Sequence, residues 1–398
     1  MNSDTLDLTR GSVPLCLIRF SFPLLLANLL QSFYSMADLL VVGRFVGETG
    51  LAAVSSASTL CFLLNAVCMG FSAGGTVLTA RARGAGDRLE EEEAAAALLL
   101  LALAGSALLT AAALLCYCPL FTLMALPSQA MGDACGYMAI LCWGTPFVFG
   151  YNAVCAILKG RGDSRGPLRF VAAAAVVNLL LDLILAGPCG LGTAGTAWAT
   201  VAAQGVSFLL SLAHLHRCVP LSLRRLPLRP AALLSLLRLG LPSAVQMAVV
   251  NLSYLILTGL LNPFGVSVAA AAGIGLKVST FAGMPCWALG YGVTAMVGQN
   301  LGAGDPDRVR QTVRSGLLLS LGATALLTAL VQLAAAPIIA LFEPENAAVT
   351  AEGVRYLRIC CSVNGLIYAA MYVFDSFAIG SGASWVAMCN AMLDAALL

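Results

Sequence analysis

Charge is scarce in this 398-residue sequence: Asp, Glu, Lys and Arg together make up 10% of the residues, against about 25% in an ordinary soluble domain. Apolar residues make up 60%. Because a chain with this balance has too little polar surface to face water on all sides, a soluble globular protein is excluded. The 21 basic residues nearly balance the 19 acidic ones. The net charge therefore gives no general attraction to nucleic acid, and we expect no nucleic-acid partner.

Histidine-rich sites, zinc-type cysteine spacings and a cleavable signal peptide are also missing. With two histidines and no His-Glu-x-x-His or aspartate-rich magnesium motif, the sequence does not indicate a membrane-embedded enzyme. Most of the 14 cysteines lie in apolar runs, where a thiol behaves as a small hydrophobe. We interpret Cys116 and Cys118, and also Cys360 and Cys361, as packing residues rather than redox pairs. The polar residues 1–12 do not resemble a secretory signal, so we expect the first span to be retained.

Long apolar runs dominate the rest of the chain. A window of about 20 residues, the length of one membrane-crossing helix, marks ten complete spans and a shorter eleventh. They cover 14–42, 51–80, 94–117, 132–158, 168–187, 193–215, 231–261, 266–299, 315–341, 354–379 and 383–398. We therefore predict an all-α, multi-pass membrane protein.

Basic residues set the expected orientation of these spans. Most of them lie in alternate connections, at 81–93, 159–169, 216–238 and 300–314. Because basic connections stay on the cytoplasmic side of a membrane, we predict a cytoplasmic N-terminus. The expected location is a bacterial-type inner (plasma) membrane.

Landmark motifs in the first part of the chain recur roughly 212 to 220 residues later. The pairs are Pro23 with Pro242, Gly84-Ala85-Gly86-Asp87 with Gly302-Ala303-Gly304-Asp305, Gly160 and Gly162 with Gly380 and Gly382, and Asn178 and Asp182 with Asn390 and Asp394. Each repeat holds an even number of spans, so both enter the membrane in the same orientation. We predict two pseudo-symmetric six-helix lobes around a central cavity.

The repeat also predicts the division of the chain. The first lobe covers 1–217, a cytoplasmic linker covers 218–230 and the second lobe covers 231–398. The counterpart of the first lobe would continue past Leu398, so we expect the second lobe to be truncated in its eleventh span.

Polar side chains inside the spans are functional candidates, because a charge at mid-membrane costs several kcal/mol by insertion scales. On the first span, Asn28, Gln31, Ser35 and Asp38 follow steps of three or four residues. They therefore share one face of that helix, which we expect to face the interior of the bundle.

The fifth and sixth spans carry further polar residues at helical spacing. Asn178 and Asp182 are one turn apart, and Thr200 lies on the sixth span. Structural alternatives stay open, because an intramembrane Asp can lie near a helix end and polar stripes can join helices by hydrogen bonds. For Asp375 on the tenth span and Lys277 on the eighth, a structural and a functional role are equally supported.

Residues 31–47, with the sequence QSFYSMADLLVVGRFVG, resemble the first-span signature of the multidrug and toxic compound extrusion (MATE) family. Residues 158–163, 178–182 and 296–305 are similar to other motifs of that family, so the resemblance covers nearly the whole chain. It implies twelve helices in two lobes facing a central cavity. It also implies export of organic cations in exchange for Na⁺ or H⁺.

The resemblance implies roles for individual residues. The site of the coupling ion would consist of Asp38, Asn178, Asp182 and Thr200. Pro23 would be a hinge in the first helix. A second-lobe sodium site is doubtful, because the seventh span has no acid and only Asp375 matches. The cavity wall would suit bulky apolar cations through cation-π contacts and adaptable packing; its expected residues are Gln31, Tyr34, Met284, Trp287, Tyr368 and Asp375.

The expected function is therefore secondary antiport of organic cations against Na⁺ or H⁺, with Na⁺ slightly favoured because four side-chain oxygens converge. We expect no cofactor beyond the coupling ion. The expected partners are small organic cations and the lipid bilayer, with the protein as a monomer. The alternative is a flippase for a lipid-linked saccharide. A flippase would need several cations in its cavity to bind pyrophosphate, whereas Lys277 is the one basic residue deep within a predicted span.

Overall fold

The computed structural model describes residues 5–124, 126–219, 229–261, 265–340 and 347–396. Across these ranges it contains helices and no strand, which confirms the predicted all-α class. The helices are α1 (Val13–Phe45), α2 (Glu48–Ala85), α3 (Arg88–Leu123), α4 (Ser128–Gly160), α5 (Arg165–Ala186), α6 (Gly192–Cys218), α7 (Pro230–Leu261), α8 (Val266–Gly302), α9 (Pro306–Leu333), α10 (Ala335–Ala340), α11 (Ala347–Cys360), α12 (Val363–Gly380) and α13 (Ser384–Ala396).

Within the described ranges, nine helices are long and apolar enough to cross a membrane: α1 to α6, residues Pro230–Tyr254 of α7, α9 and α12. The two longest helices of the chain, α2 and α8, have 38 and 37 residues. At 1.5 Å per residue these are about 57 and 55 Å long. Both exceed the roughly 30 Å hydrocarbon core of a bilayer, so their ends extend into the interfacial regions.

The predicted tenth span, 354–379, is wrong as a single helix, because the chain breaks at Cys361 and Ser362 between α11 and α12. A helix end leaves backbone carbonyls without partners. Gln332 of α9 supplies the missing donor: its side-chain amide bonds the carbonyl of Cys361 at 2.7 Å and those of Leu357 and Arg358 at 3.3 and 3.2 Å. A contact from a neighbouring helix therefore stabilises the break.

The predicted ninth span, 315–341, also divides, and here the cause is local. Helix α9 ends at Leu333 and the short α10 follows. Pro337 lacks a backbone N–H, and in a continuous helix its ring would clash with the carbonyl of Leu333, four residues earlier. Residue 341 lies outside the described ranges.

The two repeats pack on each other reciprocally. Helix α1 contacts α8 and α9 of the second repeat, and α7 contacts α2 and α3 of the first. The repeated turns share one geometry, since Gly86 and Gly304 adopt φ values of 73° and 74°, a region that glycine enters without strain. Asp87 and Asp305 then cap the following helices by accepting bonds from backbone N–H groups at 3.0 and 2.9 Å. The lobe bounds stay a prediction, and residues 220–228 of the predicted linker lie outside the described part.

Helices α2 and α8 touch along a contact that we call the glycine seam. It consists of Gly84 against Gln299 and of Gly302 against Arg81. A Cβ on Gly84 would overlap the carbonyl oxygen of Gln299, and a Cβ on Gly302 would overlap that of Arg81. Gly84 corresponds to Gly302 in the repeat, and Arg81 to Gln299. The seam is therefore two copies of one contact, and it requires glycine because the two backbones meet directly.

Two hydrogen bonds beside the glycine seam also occur once in each direction between the repeats. The Gln299 amide donates to the carbonyl of Gly160 at 2.7 Å, and the Arg81 guanidinium donates to the carbonyl of Ser381. Both bonds join one repeat to the other. The two halves are thus in direct contact at this end of the helices.

Residues 5–12, which we call the N-terminal strap, lie across both repeats at the same end. The backbone N–H of Leu6 donates to the carbonyl of Gly162 at 3.0 Å in the first repeat. The Arg308 guanidinium in the second repeat donates to three strap carbonyls at 2.8 to 3.4 Å, and these belong to Leu8, Arg10 and Gly11. The strap therefore connects the two halves through its backbone.

The structure pairs Cys118 with a partner other than Cys116. The Cys118 sulfur of α3 lies 2.8 Å from the Cys135 sulfur of α4. Both thiols are free, and Cys118 is exposed. The sequence predicts only a packing role for Cys118, and its proximity to Cys135 follows from the way α3 and α4 pack together.

We expect a mild oxidant to link Cys118 to Cys135, because the two sulfurs need to move by less than 1 Å to reach the bond length of about 2.05 Å. Each thiol would lose one proton and one electron to the oxidant, here copper phenanthroline with oxygen. Mass spectrometry of non-reduced peptides measures the link. Cys118→Ser should abolish it and Cys116→Ser should leave it unchanged; equal yields in the two variants would contradict the pairing.

Candidate functional site

Two acids, the half-buried Asp38 and the fully buried Asp182, face each other between α1 and α5. Helix α1 packs along α5, and the carboxyl groups of Asp38 and Asp182 lie within hydrogen-bonding distance of each other. Asp182 is 0% exposed. One oxygen of Asp38 and both oxygens of Asp182 are buried, and the described residues offer them no hydrogen-bond donor. The pair therefore presents three buried lone-pair-bearing oxygens to the space between them.

Neutral oxygens surround this acidic pair. Asn178 precedes Asp182 by one turn on the same face of α5, and it is also buried. Its side-chain amide points at the Thr200 hydroxyl of α6 at 3.5 Å, the long limit of a hydrogen bond. The structure thus brings together the four residues that the resemblance implied for the coupling ion.

Tyr137 of α4 also belongs to this site, although no pattern in the sequence predicts it. Its side chain is 3% exposed and lies near the Thr200 side chain, and both Asp38 and Asp182 are close enough to act on it electrostatically. In the sequence it is one tyrosine in an apolar run, without a polar neighbour at helical spacing to mark it. Its position relative to α1, α5 and α6 follows from tertiary packing alone.

The chemistry of this site suits a small cation. Ionised carboxylates, an amide oxygen and a hydroxyl are hard oxygen donors of the kind that bind alkali and alkaline-earth ions. A proton shared by the two carboxyl groups would also neutralise one charge. Two adjacent carboxylates that are both ionised and both buried would repel each other at a further cost in free energy. The arrangement therefore favours a bound cation or a bound proton.

The acid of the second repeat has different surroundings. Asp375 of α12 accepts hydrogen bonds from the side-chain amides of Gln246 at 3.3 Å and Asn390 at 3.1 Å. Both of its oxygens therefore have donors, in contrast to those of Asp182. Asp394, the repeat counterpart of Asp182, is exposed near the end of α13. The repeat in sequence does not reproduce the acidic pair.

The predicted cavity residues fall into two groups. On α1, Tyr34 contacts Gln31 and also Gln204 of α6. In the second repeat, the indole N–H of Trp287 donates to the Tyr368 hydroxyl at 3.0 Å. Tyr368 also stacks on Tyr372, with ring centroids 5.9 Å apart. The first group is polar and lies near Asp38, and the second is aromatic and lies between α8 and α12.

Three further predicted residues have a definite place. Met284 is 2% exposed and offers almost no surface to a substrate in this conformation. Lys277 is exposed on α8. Pro23 lies inside α1, which continues as one helix from Val13 to Phe45. The hinge assignment of Pro23 stays a prediction.

A repeat of apolar helices with buried acids and neutral oxygens between them is the architecture of a secondary membrane transporter. The MatE family model matches this chain twice, over residues 23–184 and 242–397. The two matches begin at Pro23 and Pro242, the first pair of repeat landmarks. The chain belongs to the MatE family, which confirms the resemblance to the multidrug and toxic compound extrusion transporters.

Relatives and solved structures agree with this assignment. The probable multidrug resistance protein YoeA of Bacillus subtilis (strain 168) is 31% identical over 337 residues, which cover 82% of this chain and 73% of that protein. YpnP of the same organism, also named a probable multidrug resistance protein, is 30% identical over 305 residues, with 76% and 68% covered. An outward-facing structure of a multidrug resistance MATE family transporter superposes with a TM-score of 0.92 at 22% identity, covering 98% of this chain and 87% of that one.

Proposed function

We propose that this chain is a secondary antiporter that exports bulky apolar organic cations in exchange for Na⁺ or H⁺. The observation that carries the proposal is the Asp38–Asp182 pair, with three buried oxygens that the described residues leave without a donor. Membership of the MatE family and two relatives named as multidrug resistance proteins support export of drugs. An incoming cation or proton supplies the charge that the site needs.

In this mechanism the coupling ion and the organic cation bind the protein in turn. The ion enters the acidic pair from outside, stabilised by Asp38 and Asp182 with the oxygens of Asn178 and Thr200. Its passage inward contributes about 2.3 kcal/mol per 100 mV of membrane potential. The aromatic group around Trp287 and Tyr368 provides faces for a bulky cation. For the site to open towards the end of the protein that carries the glycine seam, the two halves must separate at the seam, because they are in contact at that point.

The proposal includes placement in a bacterial-type inner membrane, with the N-terminus in the cytoplasm and the protein acting as a monomer. The basic connections, such as 159–169, support this orientation. The glycine seam and the N-terminal strap would then lie on the cytoplasmic side.

A flippase for a lipid-linked saccharide is not favoured. Pyrophosphate in a cavity calls for several basic side chains. The acidic pair has the opposite charge, and the two Bacillus subtilis relatives are named for drug resistance.

Proteoliposomes test the proposal. A fluorescent organic cation is loaded inside, and its efflux is followed with an inward Na⁺ gradient alone and then with an inward proton gradient alone. We expect at least one gradient to accelerate efflux, with Na⁺ the more effective of the two. Empty liposomes under the same gradients are the control. Acceleration by neither gradient would overturn antiport and favour the flippase.

A further inference from the structure

The ammonium group of Lys159 lies between the two repeats. Lys159 is the last residue but one of α4, and its Nζ atom lies 4.6 Å from the centre of the Tyr291 ring of α8. This distance is within the roughly 6 Å at which a cation and an aromatic ring attract each other. A cation-π contact therefore joins the first repeat to the second. Neither the acidic pair nor the glycine seam includes these two residues.

Lys159 has no carboxylate partner among the described residues, unlike the basic side chain two residues later. Arg161 pairs with the buried Glu91. The groups that act electrostatically on Lys159 are the thiols of Cys155 and Cys68, which are neutral when protonated. The positive charge of Lys159 is therefore balanced by the face of an aromatic ring and not by a negative charge.

The Lys159 side chain extends towards the interior of the bundle. The carbonyl of the next residue, Gly160, accepts a bond from Gln299 of α8, whereas Tyr291 lies about 12 Å before Gln299 along that helix. Lysines near the ends of membrane helices extend their charge towards water at the interface. The ammonium group of Lys159 points the opposite way, and the ring is what it meets there.

Tyr291 continues the aromatic group of the second repeat towards Lys159. It follows Trp287 by one turn on the same face of α8. On α12, Tyr372 stacks on Tyr368 and also lies close to Tyr291. These four rings form what we call the aromatic row, which begins at Trp287 and Tyr368 and ends at Tyr291. Lys159 therefore lies at the end of the row.

An organic cation and the Lys159 ammonium group would bind the same kind of surface. The electron-rich face of an aromatic ring attracts either of them, because the attraction depends on positive charge close to the ring. Two cations at one face would also repel each other. An organic cation on the aromatic row is therefore excluded from this face of Tyr291 as long as the ammonium group stays there.

We propose that Lys159 is an internal competitor that controls the access of an organic cation to Tyr291. With the glycine seam closed, the ammonium group occupies the ring. When the two repeats separate at the seam, α4 and α8 move apart and the ring becomes free. The protein would thus bind an organic cation more tightly with the seam open than with the seam closed, which favours release at the opposite end. The inference rests on the proposed function, because it assumes an organic-cation substrate.

Binding of tetraphenylphosphonium, a bulky apolar cation, to the purified full chain in neutral detergent tests the inference. We expect Lys159→Gln and Lys159→Met to lower the dissociation constant by about threefold or more, the size expected of one cation-π contact. Lys159→Arg keeps a cation at the ring and should bind as wild-type protein does. The matched control is Arg314→Gln, which removes an exposed positive charge from α9 and should leave the dissociation constant unchanged.

A second substitution separates competition for the ring from general charge repulsion. Added to Lys159→Gln, Tyr291→Leu removes the ring and should cancel the gain in affinity. Tyr291→Phe in the same background keeps an aromatic face and should preserve the gain. Because the two residues are in contact, their effects are not expected to add. A gain that persists with Tyr291→Leu would show that Lys159 acts by charge alone, and would overturn the competition.

Two further outcomes distinguish this inference from the proposed function. Wild-type binding with an unchanged dissociation constant in both Lys159→Gln and Lys159→Met would overturn the role of Lys159 and leave the transport of organic cations supported. Absence of tetraphenylphosphonium binding by wild-type protein would contradict both proposals. Size-exclusion chromatography of each variant identifies any that fails to fold, and the two neutral substitutions at Lys159 are independent of each other.

Discussion

Asp182→Asn is expected to reduce ion-driven efflux of an organic cation to the level of empty liposomes. The substitution keeps the shape of the side chain and removes the charge that would bind the coupling ion. Asp38→Asn is expected to do the same, because the two carboxyl groups form one site. Efflux from proteoliposomes under a Na⁺ or a proton gradient measures the effect. Wild-type transport by both variants would contradict the coupling assignment.

A stability measurement separates loss of coupling from loss of folding. In Asp182→Asn a buried carboxylate that lacks a donor becomes a neutral amide, so the melting temperature should stay equal or rise. Asp133→Asn, at the start of α4, is the control because it removes one acidic charge outside the site. It should leave both transport and melting temperature unchanged. A lower melting temperature in Asp182→Asn alone would indicate that the acid supports the fold.

Gly302→Ala is expected to impair transport about as severely as the aspartate substitutions do, while the protein still inserts into the membrane. The added Cβ overlaps the backbone carbonyl of Arg81, so α2 and α8 must move apart at the glycine seam. Overpacking of this kind costs about 1–3 kcal/mol. We expect a lower melting temperature and efflux reduced by about tenfold or more. The reason is that the conformation in which the glycine seam is closed becomes less stable by that free energy.

The control for this prediction is the same substitution where space is available. A Cβ on Gly136 of α4 would meet no atom within 4 Å. Gly136→Ala should therefore be neutral or stabilise the helix by about 0.5–1 kcal/mol. If Gly302→Ala matched Gly136→Ala in both melting temperature and efflux, the close approach of the two helices would not matter for transport.

Features that depend on local sequence were predictable from the chain. The spans follow from apolar runs, and Asp38 and Asp182 stand out because a charge inside such a run is costly. The repeated turns at Gly86 and Gly304 were visible because each needs a glycine at one fixed place. The division after Leu333 was also accessible, since Pro337 has a steric effect four residues upstream.

The features that escaped prediction depend on contacts between residues far apart in the chain. The break at Cys361 is stabilised by Gln332 from another helix. No glycine or proline lies at the break to indicate it in the sequence. Tyr137 joins the ion site because α4 packs beside α6. The approach of Cys118 to Cys135 likewise depends on how α3 and α4 cross. Apolar periodicity indicates which face of a helix is buried, but not which residue of a neighbour it meets.

The N-terminal strap has a consequence for how this family can vary. Every bond that fastens it to Gly162 and Arg308 ends on the strap backbone. Substitutions of strap side chains other than the fully buried Leu8 are therefore tolerated, whereas a residue inserted or deleted between Leu6 and Gly11 shifts every later carbonyl out of reach of its donor. Related sequences should vary in composition over this stretch while conserving its length and an apolar residue at the position of Leu8, and a tag fused before residue 5 should disturb the protein less than a single residue added after it.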